Sequence, residues 1–218
     1  AVLATLTLSA VPCVGAPGGE AARGARPELS GPEQVVISAD GFFALHYTQE
    51  GVDRVQSVAD LDDNGLVDVL DDVLLGLERA RVAYRERGYR ELVRDRGGGG
   101  GPELDVYIVD LANNGFANPV PAEEAAEPWS CYIRLAADLT SGSTTLLDSV
   151  AAHELNHCVQ YRYTTESATW MYESAATFEQ YGLYESGLLD LALQVLSSCA
   201  KIIIPAVNLH SLLPIKHS

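Results

Sequence analysis

His153-Glu154-Leu155-Asn156-His157 is the segment in which residue type and spacing say most about chemistry. Side chains four apart on a helix share a face, so two imidazoles at this spacing reach one ion. Glu154 sits beside them, where its carboxylate can accept a proton from a water on that ion. Chance produces H-E-x-x-H in about one chain in a hundred of this composition. The flanks carry the helix that the motif needs: Leu147, Ala151, Leu155 and Val159 form an apolar stripe, leaving His153 and His157 on a neighbouring face.

A catalytic zinc takes three protein ligands and keeps a fourth position for water. The residues directly after His157 lack a further Gly and His, so the third ligand must come from elsewhere. Glu173, in Trp170-Met-Tyr-Glu173-Ser-Ala-Ala-Thr-Phe-Glu179, is the candidate. The intervening residues are enough to leave one helix, turn through 164–167 and return on an antiparallel one. Ala175 and Ala176 would let the two helices approach closely. Glu166, Glu179 and Glu185 are the rivals; Glu179 is either a hydrogen-bond partner that fixes the tautomer of a ligand imidazole or an ordinary solvated helix acid. Tyr181, Tyr184 and His210 are candidates for stabilising an oxyanion, and that role stays open.

A second cation site is legible at Asp60-Leu-Asp62-Asp-Asn64-Gly65-Leu66-Val-Asp68-Val-Leu-Asp71. Oxygen donors fall at loop positions 1, 3, 5, 9 and 12, with Gly at 6 and the Leu66 carbonyl at 7, the pattern of a calcium loop. Position 12 is Asp71 where Glu is usual, and Asp72 could replace it. The plain alternative is an Asp/Asn/Gly surface turn.

The remaining elements must position these groups. Val35–Ser38 and Phe42–Thr48 alternate as strands joined at Asp40-Gly41. Val69, Val73, Leu74, Leu77, Ala80 and Tyr84 mark a helix over 69–89. Five consecutive glycines in 96–102 form a flexible loop, Leu104–Val109 and Cys131–Ala136 are strands, and 113–128 is loop-like. Thr145 caps the helix that ends near Tyr161, and another helix runs from about 167 to Gly187. Strands first and helices after imply an α+β fold, a small mixed or antiparallel sheet packed on the active-site helix and a third-ligand helix. The strand 105–110 is a candidate edge for an added peptide strand, or an ordinary internal strand.

Fourteen Lys and Arg face thirty Asp and Glu among 218 residues, a formal net charge of −16. That balance disfavours nucleic acid and anionic membranes, both of which need a basic face. Residues 1–16 are apolar and uncharged, as in the core of a truncated signal peptide, and 17–33 resemble a linker. The domain is expected over 34–200, with an irregular tail at 201–218. Of the cysteines, Cys13 belongs to the leader, and Cys131, Cys158 and Cys199 leave the pairing open. Export to a secreted or extracytoplasmic location fits these features.

The two His of H-E-x-x-H with a Glu on the following helix resemble the gluzincin metallopeptidases. The W-x-x-E-x-x-A-x-F-x-E run is similar to the third-ligand helix of that clan. Phe43-Ala-Leu-His46-Tyr47-Thr48, Gly51, the acidic 60–68 loop and Leu104-Asp105-Val106-Tyr107 resemble, in that order, a bacterial family of secreted metallopeptidases of myxobacterial type. The resemblance covers roughly 42–184. It implies a zincin-like fold, zinc as cofactor, and peptide-bond hydrolysis with Glu154 as base and His153, His157 and Glu173 as ligands. It implies no particular substrate. A non-catalytic calcium-binding surface or adhesion module on the same fold is the alternative, and a zinc hydrolase of non-peptide amides a third reading. Glu154 argues for an enzyme, since a binding module has no need of it.

Overall fold

A computed structural model describes residues 26–122, 129–142 and 144–184. The proposed leader, the tail at 201–218, Cys13, Cys199, Glu185 and His210 lie outside the described residues. Five strands form one mixed sheet in the order β1-β2-β3-β5-β4, comprising β1 (Gln34–Ile37), β2 (Phe43–Tyr47), β3 (Leu104–Val109), β4 (Gly115–Pro121) and β5 (Trp129–Ala136). Three α-helices accompany it among the described residues: α1 (Asp68–Glu86), α2 (Thr144–Tyr161) and α3 (Thr169–Tyr184). The fold is therefore α+β in the coarse sense expected, with the sheet mixed.

β2, β3 and β5 run parallel in the centre, and β1 and β4 pair antiparallel at the edges. Parallel strands are covered on both faces, which is why β2 and β3 are buried at every position. Alternation sorts their side chains. Phe43, Leu45, Leu104, Val106, Ile108, Cys131, Ile133 and Leu135 join one core with Val73 and Leu77 of α1 and Leu147, Ala151 and Leu155 of α2. Tyr107, Val109, Val120 and Tyr132 form a smaller cluster on the opposite face. There, buried His46 bridges Glu33 at 2.8 Å and Asp105 at 3.1 Å.

β3 is internal, flanked by β2 and β5, so it offers no edge to a peptide; the edges are β1 and β4. β4 itself corrects the expectation of a loop over 113–128. Its Asn, Gly and two prolines suggested irregular chain, but an edge strand tolerates Pro because one side needs no ladder donor. Helix α1 also stops earlier than expected, at Glu86, because Gly88 takes φ +85° just past the C-cap Arg87. Helix α2 is already running at Thr144, so Thr145 lies inside it and is not its cap.

The glycine run is not free chain. A Cβ on Gly99 would sit 2.3 Å from the Asp105 carboxylate, so the loop backbone lies directly against that buried acid. Residues 26–33, expected as linker, are tied to the domain. Arg26 pairs with Asp95 and with Asp105, and the Ser30 N–H donates to Asp53 at 2.7 Å.

Cys131 of β5 and Cys158 of α2 form a disulfide with a Cα–Cα distance of 5.5 Å, joining the sheet to the helix beside His157. It closes a loop of sequence separation 27. By loop-closure entropy this contributes about 3–4 kcal/mol. Reduction is expected to lower the urea midpoint accordingly; coincident oxidised and reduced curves would show that the crosslink adds nothing.

Candidate metal centre and its surroundings

Helix α2 lies under the sheet by its apolar stripe, in which Leu147, Ala151 and Leu155 are fully buried. This orientation turns the next face, carrying His153 and His157, toward α3. The two helices run antiparallel: His153 near the middle of α2 meets Gln180 late in α3, and Tyr161 at its end meets Tyr172 early in α3. Ala176, fully buried, permits the close approach.

Glu173 thereby comes to face both imidazoles. Its Oε2 lies 3.3 Å from His153 Nε2 and its Oε1 3.6 Å from His157 Nε2. The ligand atoms of the three residues lie within 4.8 Å of one another. Tetrahedral zinc with bonds of about 2.0–2.1 Å holds neighbouring ligand atoms about 3.3 Å apart, so this donor set fits the ion in kind and spacing. The imidazoles are largely buried, with side-chain exposures of 15% and 9%, whereas Glu173 is half exposed; the centre opens to solvent on the α3 side.

Glu154 does not join the three. Its side chain is buried against β4, close enough to His153 and Glu173 to feel their charges. A Cβ on Gly115 would fall 2.8 Å from Glu154 Cγ, so glycine lets the edge strand settle on this side chain. The carboxylate accepts a hydrogen bond from the Ala117 N–H. Burial pushes its pKa up to about 7, and the Glu173 charge adds to the rise, against opposing pulls from His153, Ala117 and Arg134. The Ala117 carbonyl in turn accepts the Tyr161 hydroxyl at 3.1 Å, so both ends of α2's site segment are stitched to one residue of β4.

The two imidazoles differ electrostatically. Burial opposes charge on His153, but the Glu173 and Glu154 carboxylates outweigh it and raise its pKa. On His157 burial and the charge of His153 act together and lower it. Glu173 is held below the usual carboxylate range by its hydrogen bond to His153 against the opposing effect of burial.

Glu179 is not the partner of either imidazole. It is buried and bound to Arg87 and, at 2.7 Å, to the Tyr89 hydroxyl, tying α3 to the chain after α1. The outer nitrogens belong to two glutamines that sequence reasoning missed: Gln180 Oε1 lies 3.0 Å from His153 Nδ1, and Gln160 Oε1 lies 2.8 Å from His157 Nδ1. The signal was present as spacing. Gln180 is two turns beyond Glu173 and shares its face, and Gln160 is one turn beyond His157. Glu166 lies in the turn between the helices, and Tyr184 packs against the main core.

The acidic loop draws its side chains inward. Oxygens of Asp60, Asp62 and Asp68 lie within 4.8 Å of one another. The Asn64 N–H reaches Asp60 at 3.1 Å and Asp62 at 3.2 Å, and its side-chain amide donates to Asp62 at 3.0 Å and Asp71 at 3.1 Å. Gly65 takes φ +87°, the reversal that position 6 requires. Leu66 follows with its N–H on Asn64 Oδ1 at 2.7 Å, and Asp68 starts α1.

No described helix is long and apolar enough to cross a membrane. Comparison of the chain with protein-family models, with curated proteins and with solved structures finds no match in any of the three.

Proposed function

We propose that this chain is a secreted, zinc-dependent peptidase with a zincin-like domain of gluzincin type. The observation that carries the reading is the convergence of His153, His157 and Glu173, with both Nε2 atoms 3.3–3.6 Å from one carboxylate. A solvated histidine pair has no reason to be buried against an acid delivered by a separate helix. A zinc ion held there supplies a Lewis acid that brings the pKa of water to roughly 7 and polarises a scissile carbonyl.

The rest of the chemistry falls to the chain's own side chains. Glu154, kept basic by its burial and oriented by the Ala117 N–H, takes the proton from the attacking water. It then returns that proton to the leaving amine as the peptide bond breaks. Half-exposed Glu173 leaves the open side from which a peptide enters. The Cys131–Cys158 disulfide supports an oxidising, extracytoplasmic setting, and the −16 net charge argues against nucleic acid as partner.

The 60–71 loop is read with it as a calcium site, with Asp60, Asp62, Asn64, the Leu66 carbonyl, Asp68 and Asp71 as donors. Such an ion would brace the entry to α1. It is also the observation behind the second reading, a non-catalytic calcium-binding module. Hydrolysis of an unfolded protein separates the two. Zinc chelation should abolish the activity, one equivalent of zinc should restore it, and calcium alone should not. Hydrolysis that survives chelation would remove zinc from the mechanism, and no hydrolysis by zinc-loaded protein would favour the binding module.

A further inference from the structure

Each imidazole is connected on its outer side to a chain of hydrogen bonds whose direction is set at the far end. His153 Nδ1 lies 3.0 Å from Gln180 Oε1, Gln180 Nε2 lies 3.2 Å from Ser149 Oγ, and Ser149 donates to the Leu146 carbonyl at 2.9 Å. A backbone carbonyl only accepts. The Ser149 proton is therefore committed to Leu146, its lone pair receives the Gln180 N–H, and Gln180 turns its oxygen toward the ring. An amide oxygen accepts and does not donate, so Gln180 draws the proton of neutral His153 to Nδ1, in competition with the Glu173 carboxylate 3.3 Å from Nε2.

The second chain has the same logic and different parts. Gln160 Nε2 donates to the Tyr172 carbonyl at 2.9 Å and to Asn156 Oδ1 at 3.0 Å. Its oxygen is thereby left for His157 Nδ1 at 2.8 Å. Tyr172 is the residue before Glu173, so the backbone that delivers the carboxylate also orients the glutamine.

With both ring protons on Nδ1, the two Nε2 lone pairs and the Glu173 carboxylate make three donors facing one another across a gap that a cation would fill. On the other tautomer, a ring proton would stand where the ion must bind. We infer that Gln180 and Gln160 are positioning residues that hold His153 and His157 in the Nδ1–H tautomer and so keep both Nε2 atoms open to the metal, an inference that rests on the zinc reading above. Neutral amides suit this place. A carboxylate on either outer nitrogen would add a third negative charge beside buried Glu154 and half-exposed Glu173.

The test is the ¹⁵N NMR signature of the two rings in the chelated full-length chain, at a pH where both are neutral, together with zinc affinity. In the parent chain both rings should show Nδ1–H. Gln180→Met should move His153 alone to Nε2–H, donating to Glu173, and Gln160→Met should move His157 alone. Each should weaken zinc binding about 10–100-fold. Gln180→Glu, which keeps an acceptor, should restore the tautomer of His153. A purely structural role would lower stability without switching one ring selectively. Retention of Nδ1–H in both Met variants, or unchanged zinc affinity, would overturn the inference. If the parent chain takes up no zinc, the peptidase reading fails, and the ring tautomers of the chelated chain still decide the role of the glutamines.

Discussion

Glu154→Gln should reduce turnover by about 10²–10⁴-fold while the protein keeps its zinc. Gln preserves shape and the bond from the Ala117 N–H but cannot accept a proton from water. The loss should appear in kcat, with KM little changed, because in the proposed mechanism the group acts on the reacting water and not on the peptide. Stability should move the other way. Burial raises the Glu154 pKa to about 7 in the metal-free fold, so ionisation there opposes folding. A raised acid contributes stability below its unfolded pKa and loses it as pH rises through the folded value. Metal-free parent protein should therefore lose stability between about pH 5 and 8 relative to Glu154→Gln, which has nothing to ionise. Matched urea titrations at the two pH values check this. Hydrolysis at the parental rate in the variant would show that Glu154 is not the base.

Glu173→Ala should abolish hydrolysis by a different route. It removes the one carboxylate among the described residues that faces both imidazoles and leaves two imidazole nitrogens and solvent. Zinc affinity should fall by more than the about 10–100-fold that loss of an outer hydrogen-bond partner costs. Because Glu173 is half exposed, its removal leaves no buried charge stranded, and the fold should persist. The two variants are thus distinguishable by metal content: one inactive with zinc, the other inactive without it. An active Glu173→Ala variant would move the third ligand to another acid or remove zinc from the account.

Much of this was legible in the residues. The stripe Leu147, Ala151, Leu155 and Val159 set the face of α2, and the facing of His153 and His157 followed from it. Val69 to Tyr84 gave α1 in the same way, since long periodic patterns leave little freedom in how a helix packs. The length of the turn and the small residue Ala176 anticipated the antiparallel return that brings Glu173 back; Ala175, expected to share that role, is exposed.

The misses have physical reasons. β4 carries Pro119 and Pro121, which oppose a strand by propensity and are tolerated only because tertiary pairing places the segment at an edge. The order of strands in the sheet depends on long-range pairing, so the internal place of β3 was not readable locally. Glu179 looked like an outer partner because an acid near a histidine is a common arrangement. Helical phase decides instead: six residues from Glu173 it turns toward Arg87 and Tyr89, and Gln180, seven away, points back at His153. The glycine run suggests a flexible loop because composition shows the freedom of glycine and not the acid beneath it. Gly99 lies against Asp105, a contact between residues brought together only by the fold.

The central claim is that His153, His157 and Glu173 form one zinc site, and elemental analysis of the purified, zinc-equilibrated protein tests it most directly. The account predicts about one zinc per chain in the parent protein and in Glu154→Gln, and essentially none in a His157→Ala, Glu173→Ala double variant that remains folded. A parent protein without zinc, or a double variant that retains a full equivalent, would contradict it.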